Sequence, residues 1–271
     1  LSLWDDGDNF FYDWLVMSNG EATPLRVRSL VGLIPMFAVE TADMALLKNL
    51  PSFVRQRDWY LRYRPKLATL VSRWNTPGAA DTRMLAITRA FRSTKLLERI
   101  LDKNEFLSDY GVRSLSRYHL EHPYVFETGD FRSEVKYVPA DSDSDLFGGN
   151  SNWRGPIWMP INYLIIESLQ KFYKFYGDDF RVESPVGSGQ TQSLKELADG
   201  LRNRLINIFR RNANGRRPVF GTYEKMQTDP HFKDYLLFHE YYDGDNGRGL
   251  GASHQTGWSA LVANMIAELH D

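Results

Sequence analysis

The chain has 271 residues, 42% hydrophobic and 25% charged, a composition of folded protein with enough length to bury a large core. It carries 33 Lys and Arg against 34 Asp and Glu, a formal net charge of -1, so nothing in the charge balance asks for nucleic acid or an anionic membrane as partner. Cysteine is absent, which excludes disulfides and thiol nucleophiles and leaves only oxygen and imidazole as metal ligands.

No apolar run reaches the ~20 residues that span a bilayer, and no basic, apolar leader opens the chain, so a cytoplasmic location is expected. The abrupt start on Leu1-Ser2-Leu3-Trp4 suggests a piece of a longer polypeptide. Paired aromatic runs from Phe10 to Val27 flank Ser18-Asn19-Gly20-Glu21, and Asn-Gly is a strong hairpin signal. Helical patterns follow. Ser29 to Glu40 is apolar with an interruption at Pro35, and Ala42 to Leu50 stops at Pro51. Lys66 to Trp74 places Leu67, Leu70 and Val71 on one face, and Ser93 to Leu107 does the same with Leu96, Leu97, Ile100 and Leu101.

From Glu121 to Trp158 no period is sustained, and the aromatic content argues for a functional loop rather than disorder. Ile157 to Tyr176 predicts a helix with Leu164, Ile165, Leu169, Phe172, Tyr173 and Tyr176 on one side. Ser193 to Glu196 reads as a capping box opening a helix through Leu197, Leu201, Leu205 and Phe209. A second irregular stretch covers Asn212 to Gln255. The last helix, Thr256 to Leu269, turns Leu261, Val262, Met265 and Ile266 inward. The expected fold class is all-α with one short N-terminal hairpin, and the long loops between helices suit an α/α toroid better than a compact bundle.

Two segments carry chemistry. Gly148 to Trp158, GGNSNWRGPIW, combines glycines that admit close approach, the amides of Asn150 and Asn152, the guanidinium of Arg154 and the flat faces of Trp153 and Trp158. Equally, its tryptophans can plug the end of the core. In the second segment, Phe238 to Trp258, Glu240 follows the apolar run Tyr235 to Phe238 and precedes Tyr241 and Tyr242. A carboxylate in such surroundings suits proton transfer, although a single Glu is more often a structural ion-pair partner. Glycines beyond it leave room for substrate, and Trp258 adds a stacking face.

Other patterns are weaker. Asp141-Ser142-Asp143-Ser144-Asp145 imitates a calcium loop, but Leu146 stands where glycine is needed and Asn152 where glutamate is needed, so it reads as a solvated acidic turn. Asp243-Gly244-Asp245-Asn246-Gly247 reads as a turn as well. No zinc spacing is present among the six His, and neither metal nor cofactor is expected.

NSNWRGPIW followed at about ninety residues by EYYDGDNGRGLGASHQTGW resembles glycoside hydrolase family 63, more narrowly its bacterial members akin to processing α-glucosidase and mannosylglycerate hydrolase. LWDDGDNFFYD and PLRVRSLVGLIPMFAVE near the start extend the likeness over the whole chain. The resemblance implies an (α/α)6 catalytic toroid, of which residues 1–271 form the C-terminal portion, and inverting hydrolysis of α-glycosidic bonds, glucosidic or mannosidic, of an oligosaccharide or small glycoside without a cofactor. It places the general base on Glu240 and substrate contacts on Asn152, Trp153, Arg154 and Trp158, with Arg154 foremost. Tyr241, Gln255 and Trp258 are expected to hold water or sugar beside the base. No segment matches the family's acid, so the general acid is expected upstream, and the upstream part of the same polypeptide or self-association is expected to cover exposed helix faces. A glycoside phosphorylase, a trehalase-like enzyme and a non-catalytic carbohydrate-binding remnant are the alternatives.

Overall fold

Alternating aromatic and polar residues set the first segment into two small ladders. The computed structural model describes residues 2–69, 76–144 and 154–269. β1 (Trp4–Asp5) pairs with β2 (Phe10–Phe11), and β3 (Asp13–Val16) pairs with β4 (Ala22–Leu25) through the expected Asn-Gly turn, where Gly20 takes φ 88°. Asp8, between β1 and β2, binds Arg28 at 2.5 Å and Arg99 at 2.8 Å, and Arg28 reaches Glu105 at 2.7 Å. Charges half withdrawn from water thereby tie the N-terminal ladders to the helical body.

The next apolar run departs from the expected helix. Leu30–Phe37 is a 3-10 helix with Pro35 inside, because proline has no N–H to continue an α-helical ladder. Gly32 lies so close to Phe10 that a Cβ would stand 2.6 Å from ring atom Cζ. The chain then extends as β5 (Val39–Ala42), which pairs with β6 (Arg83–Ala86). α1 (Met44–Lys48), capped by Asp43, ends before Pro51 as expected, and Pro51 also begins a helix the sequence did not suggest, α2 (Pro51–Tyr63), since the first helical turn needs no proline N–H. α3 (Pro65–Ala68) follows, and the expected continuation through Leu70, Val71 and Trp74 lies outside the described residues.

The core is helical. α4 (Ala90–Ile100) buries Leu96, Leu97 and Ile100 as expected, with Leu101 beside them. β7 (Leu107–Ser108) and β8 (Gly111–Val112) form a tight ladder. β9 (Tyr124–Thr128) and β10 (Phe131–Val135) form a hairpin inside the stretch read as irregular. Most of its side chains stay exposed, so its alternation carries no burial signal. α5 (Met159–Tyr176) packs against α6 and, on other sides, against β5 and the last helices. Its buried face is Ile165, Ile166, Leu169, Phe172 and Phe175; Leu164 is exposed, and Tyr173 and Tyr176 are only half-buried.

β11 (Arg181–Glu183) and β12 (Thr191–Ser193) lead into α6 (Leu194–Asn207). Its capping box is complete: Glu196 N–H donates to Ser193 Oγ at 3.3 Å, and Ser193 N–H donates to Glu196 Oε2 at 2.7 Å. Ser193→Ala should therefore cost about 0.5–2 kcal/mol of stability. A denaturant midpoint equal to wild type would show that the cap contributes nothing.

α7 (Glu224–Thr228), β13 (Tyr241–Tyr242) and β14 (Gly249–Leu250) occupy the second irregular stretch. The last expected helix is divided at Ala260 into α8 (Thr256–Ser259) and α9 (Leu261–Glu268). α9 buries Val262 and Met265, whereas Ile266 is exposed. Helices thus carry the core as the all-α expectation requires, but strands among the described residues form seven two-stranded ladders rather than one. Among the same residues no helix is long and apolar enough to cross a membrane.

Candidate functional site

The two motif segments, about ninety residues apart, meet through backbone. Ile157 N–H donates to Tyr242 C=O at 2.7 Å, and Tyr242 N–H returns a bond to Ile157 C=O at 2.9 Å. Gly244 N–H donates to Pro139 C=O at 2.7 Å, and Gly155 N–H to Ser114 Oγ at 2.9 Å. Asn162, buried in the first turn of α5, accepts from Val112 N–H at 2.7 Å and donates to Trp158 C=O at 2.9 Å. Every element that carries a motif residue is thus fastened to a neighbour.

Around this junction the aromatics pack on one another. Trp158 and Tyr241 are buried and stacked at 5.1 Å with 22° between planes, and Trp258 tilts against Trp158 at 5.3 Å. Of these three rings Trp258, 38% exposed, is the most open. Trp158 is buried, in line with the core-plug reading.

Glu240 precedes β13 and is half-buried. Its N–H donates to Ala252 C=O at 2.9 Å, and Ala252 N–H approaches its Oε2 at 3.4 Å. Gly251, at φ 65°, makes room for it: a Cβ there would stand 2.8 Å from Glu240 Oε2 and 2.6 Å from Tyr241 Cε1. The preceding apolar run does not bury the carboxylate, since Tyr235 is 69% exposed and Leu236 is exposed too. Burial holds the neighbouring His239 below its ordinary imidazole pKa and so neutral. Gln255, half-buried, donates its N–H to Phe238 C=O at 2.8 Å where α8 begins.

Arg154 is buried. Its Nη1 lies 3.2 Å from Ser144 C=O and 3.3 and 3.4 Å from the hydroxyls of Ser144 and Ser142. It also borders a cavity of about 530 Å³ that Tyr12, Asp13, Leu30 and Leu115 line and that Glu240 does not. Asn152 and Trp153 lie outside the described residues.

Sequence reasoning missed the groups that hold the second segment. Buried Arg113 donates Nε to Tyr137 Oη at 2.9 Å and Nη2 to Asp245 Oδ1 at 3.1 Å, while Tyr137 Oη donates to the same carboxylate at 2.8 Å. Asp243 accepts from the N–H groups of Asp245 and Asn246 at 2.9 and 3.1 Å, which makes the acidic run the expected turn. Tyr241 Oη donates to Asp141. Burial, that hydrogen bond and the negative charges of Asp141 and Glu240 push the Tyr241 phenol well above its ordinary pKa. No local pattern marks Arg113, Tyr137 or Asp141, because their partners are distant in sequence. Among the described residues, no group of three or more His, Asp or Glu could hold a metal ion.

The junction thus sets a half-buried carboxylate next to an aromatic stack that ends in the more open Trp258. Comparison with known proteins supplies the family. The model for the glycosyl hydrolase family 63 C-terminal domain matches residues 82–268, and the chain belongs to that family. An uncharacterized Saccharomyces cerevisiae protein is 45% identical over 271 residues, covering 99% of this chain and 25% of its own length. The mannosyl-oligosaccharide glucosidase of the same yeast is 28% identical over 173 residues, covering 64% of this chain and 15% of the glucosidase. The chain thus spans a quarter or less of these relatives. The crystal structure of a family 63 mannosylglycerate hydrolase from Thermus thermophilus, in complex with glucose, superposes with a TM-score of 0.41 at 16% identity, over 98% of this chain and 36% of that one. A superposition that loose fixes no residue correspondence.

Proposed function

We propose that this chain is the C-terminal portion of an (α/α)6 catalytic domain that hydrolyses α-glycosidic, principally glucosidic, bonds of an oligosaccharide or small glycoside with inversion. The observation that carries the reading is the junction itself: the Ile157–Tyr242 bonds join the two motif segments, with Tyr241 stacked on Trp158, Trp258 tilted against Trp158, and the half-buried Glu240 carboxylate sharing with Tyr241 the space kept open by Gly251. Family membership and the glucosidase relative supply the reaction class.

In this mechanism Glu240 is the general base. One carboxylate oxygen takes a proton from water as the water oxygen bonds to the anomeric carbon. The glycosidic C–O bond breaks on the opposite side, and its electron pair leaves with the departing oxygen. A general acid from the upstream part of the polypeptide protonates that oxygen. Room for the water requires the two carboxyls ~6.5–9.5 Å apart. Trp258 stacks on a sugar ring, Gln255 and Tyr241 hold a hydroxyl or the water, and Asn152, Trp153 and Arg154 of the other segment contribute sugar contacts. The chemistry needs no metal or cofactor.

The stereochemistry tests this directly. Proton NMR of fresh product from an α-glucoside, acquired before mutarotation, should show the β-anomer first. An initial α-anomer would mean a retaining double displacement, and Glu240 would then be assigned the wrong role.

A further inference from the structure

The acidic turn at 141–144 has the sequence of a solvated connection, yet it touches both motif segments. Asp141 accepts the hydroxyl of Tyr241 from the Glu240 segment. One residue on, Ser142 and Ser144 surround Nη1 of Arg154 from the other segment. The turn is itself braced. Ser142 Oγ donates to Ser144 C=O at 3.0 Å, Ser144 Oγ donates to Glu134 C=O on β10 at 2.8 Å, and Lys136 pairs with Asp143 at 3.4 Å. A hairpin exposed over most of its length thus delivers a carboxylate to a phenol that is 4% exposed.

We infer that Asp141 is a positioning residue for the proposed hydrolysis and acts through Tyr241. The inference rests on Glu240 being the base. A carboxylate has no proton to give, so Tyr241 must be the donor in this pair. With its proton committed to Asp141, the phenol oxygen presents only acceptor lone pairs to anything else that approaches. It can therefore receive a hydrogen bond from a substrate hydroxyl or from the attacking water, but cannot give one. The same bond holds the Tyr241 ring flat on Trp158 and against Gly251, whose other neighbour is the Glu240 carboxylate. Freeing the phenol lets the ring and the adjacent carboxylate shift together, and small displacements of a reacting group are costly in rate.

The test is a double-mutant cycle on hydrolysis of an α-glucoside by the full product of the gene, with unfolding followed in parallel. Asp141→Ala should lower kcat about tenfold with little change in KM. In the Tyr241→Phe background the same substitution should have almost no further effect. Asp141→Asn retains an acceptor oxygen and should restore most of the rate, which loss of folding would not allow. Denaturant unfolding should show coupling between positions 141 and 241 whether or not the protein turns over substrate.

Four outcomes overturn the inference. They are wild-type kcat in Asp141→Ala, additive losses in the cycle, no recovery in Asp141→Asn, or absence of coupling in unfolding. Failure of the parent reading is distinguishable: the wild type would then hydrolyse no α-glucoside, or Glu240→Gln would be fully active, and the catalytic role of Asp141 would fall with it.

Discussion

Glu240→Gln should lower the hydrolysis rate by about 10²–10⁴-fold, the usual worth of a general base, while leaving substrate affinity close to wild type. Glutamine has the shape of glutamate and can place its amide oxygen toward the Ala252 N–H, which lies only 3.4 Å from Oε2 in the native protein. The space kept by Gly251 accepts an amide as readily as a carboxylate. What is lost is the capacity to take a proton from water at the moment of attack. Because the side chain is half-buried and accepts one long hydrogen bond, the melting temperature should barely move. The measurement is kcat and KM on an α-glucoside beside a thermal melt. Turnover near wild type would remove Glu240 from the chemistry, and a large fall in melting temperature would make it a structural carboxylate.

Gly155→Ala should be the most damaging small substitution in the chain. Gly155 has φ 119°, outside the comfortable range of residues with a Cβ. A Cβ there would penetrate the carbonyl oxygen of Val138 and stand 2.7 Å from its carbonyl carbon. Both are backbone atoms leading into the turn at 141–144, so no side chain can move aside. Strain of about 1–3 kcal/mol for the dihedral adds to about 1–3 kcal/mol for overpacking. The sum is a large part of the roughly 5–15 kcal/mol that holds a domain folded. Gly200→Ala is the control: it lies within α6, where a Cβ meets nothing within 4 Å, and should stabilise by about 0.5–1 kcal/mol. Equal melting temperatures for wild type and Gly155→Ala would show that the 155–157 segment can relax and that its glycine is dispensable.

Parts of the molecule were legible because their determinants are local. The Asn19-Gly20 turn, the Ser193–Glu196 capping box and the buried face of α4 each depend on residues within a few positions of one another. Others were not legible because sequence alone weighs a signal without its surroundings. Pro51 was read only as the end of one helix and also begins the next, the same missing N–H being harmless in a first turn. The 39–42 segment looked helical beside its apolar neighbours, yet it pairs with 83–86, a partner forty residues away.

The candidate site divides along the same line. Residue types and motif spacing picked out the two segments, because a carboxylate, glycines and aromatics in that order are chemical facts that need no coordinates, while the family and the proposed base role of Glu240 followed from resemblance. Tertiary structure alone decided that Trp158 and Tyr241 are buried and stacked while Trp258 stays partly exposed, and that Asp141 belongs to Tyr241. Burial and hydrogen-bond partnership are properties of pairs brought together by folding. For Asp141 and Tyr241, a hundred residues of chain lie between the two halves of a single hydrogen bond.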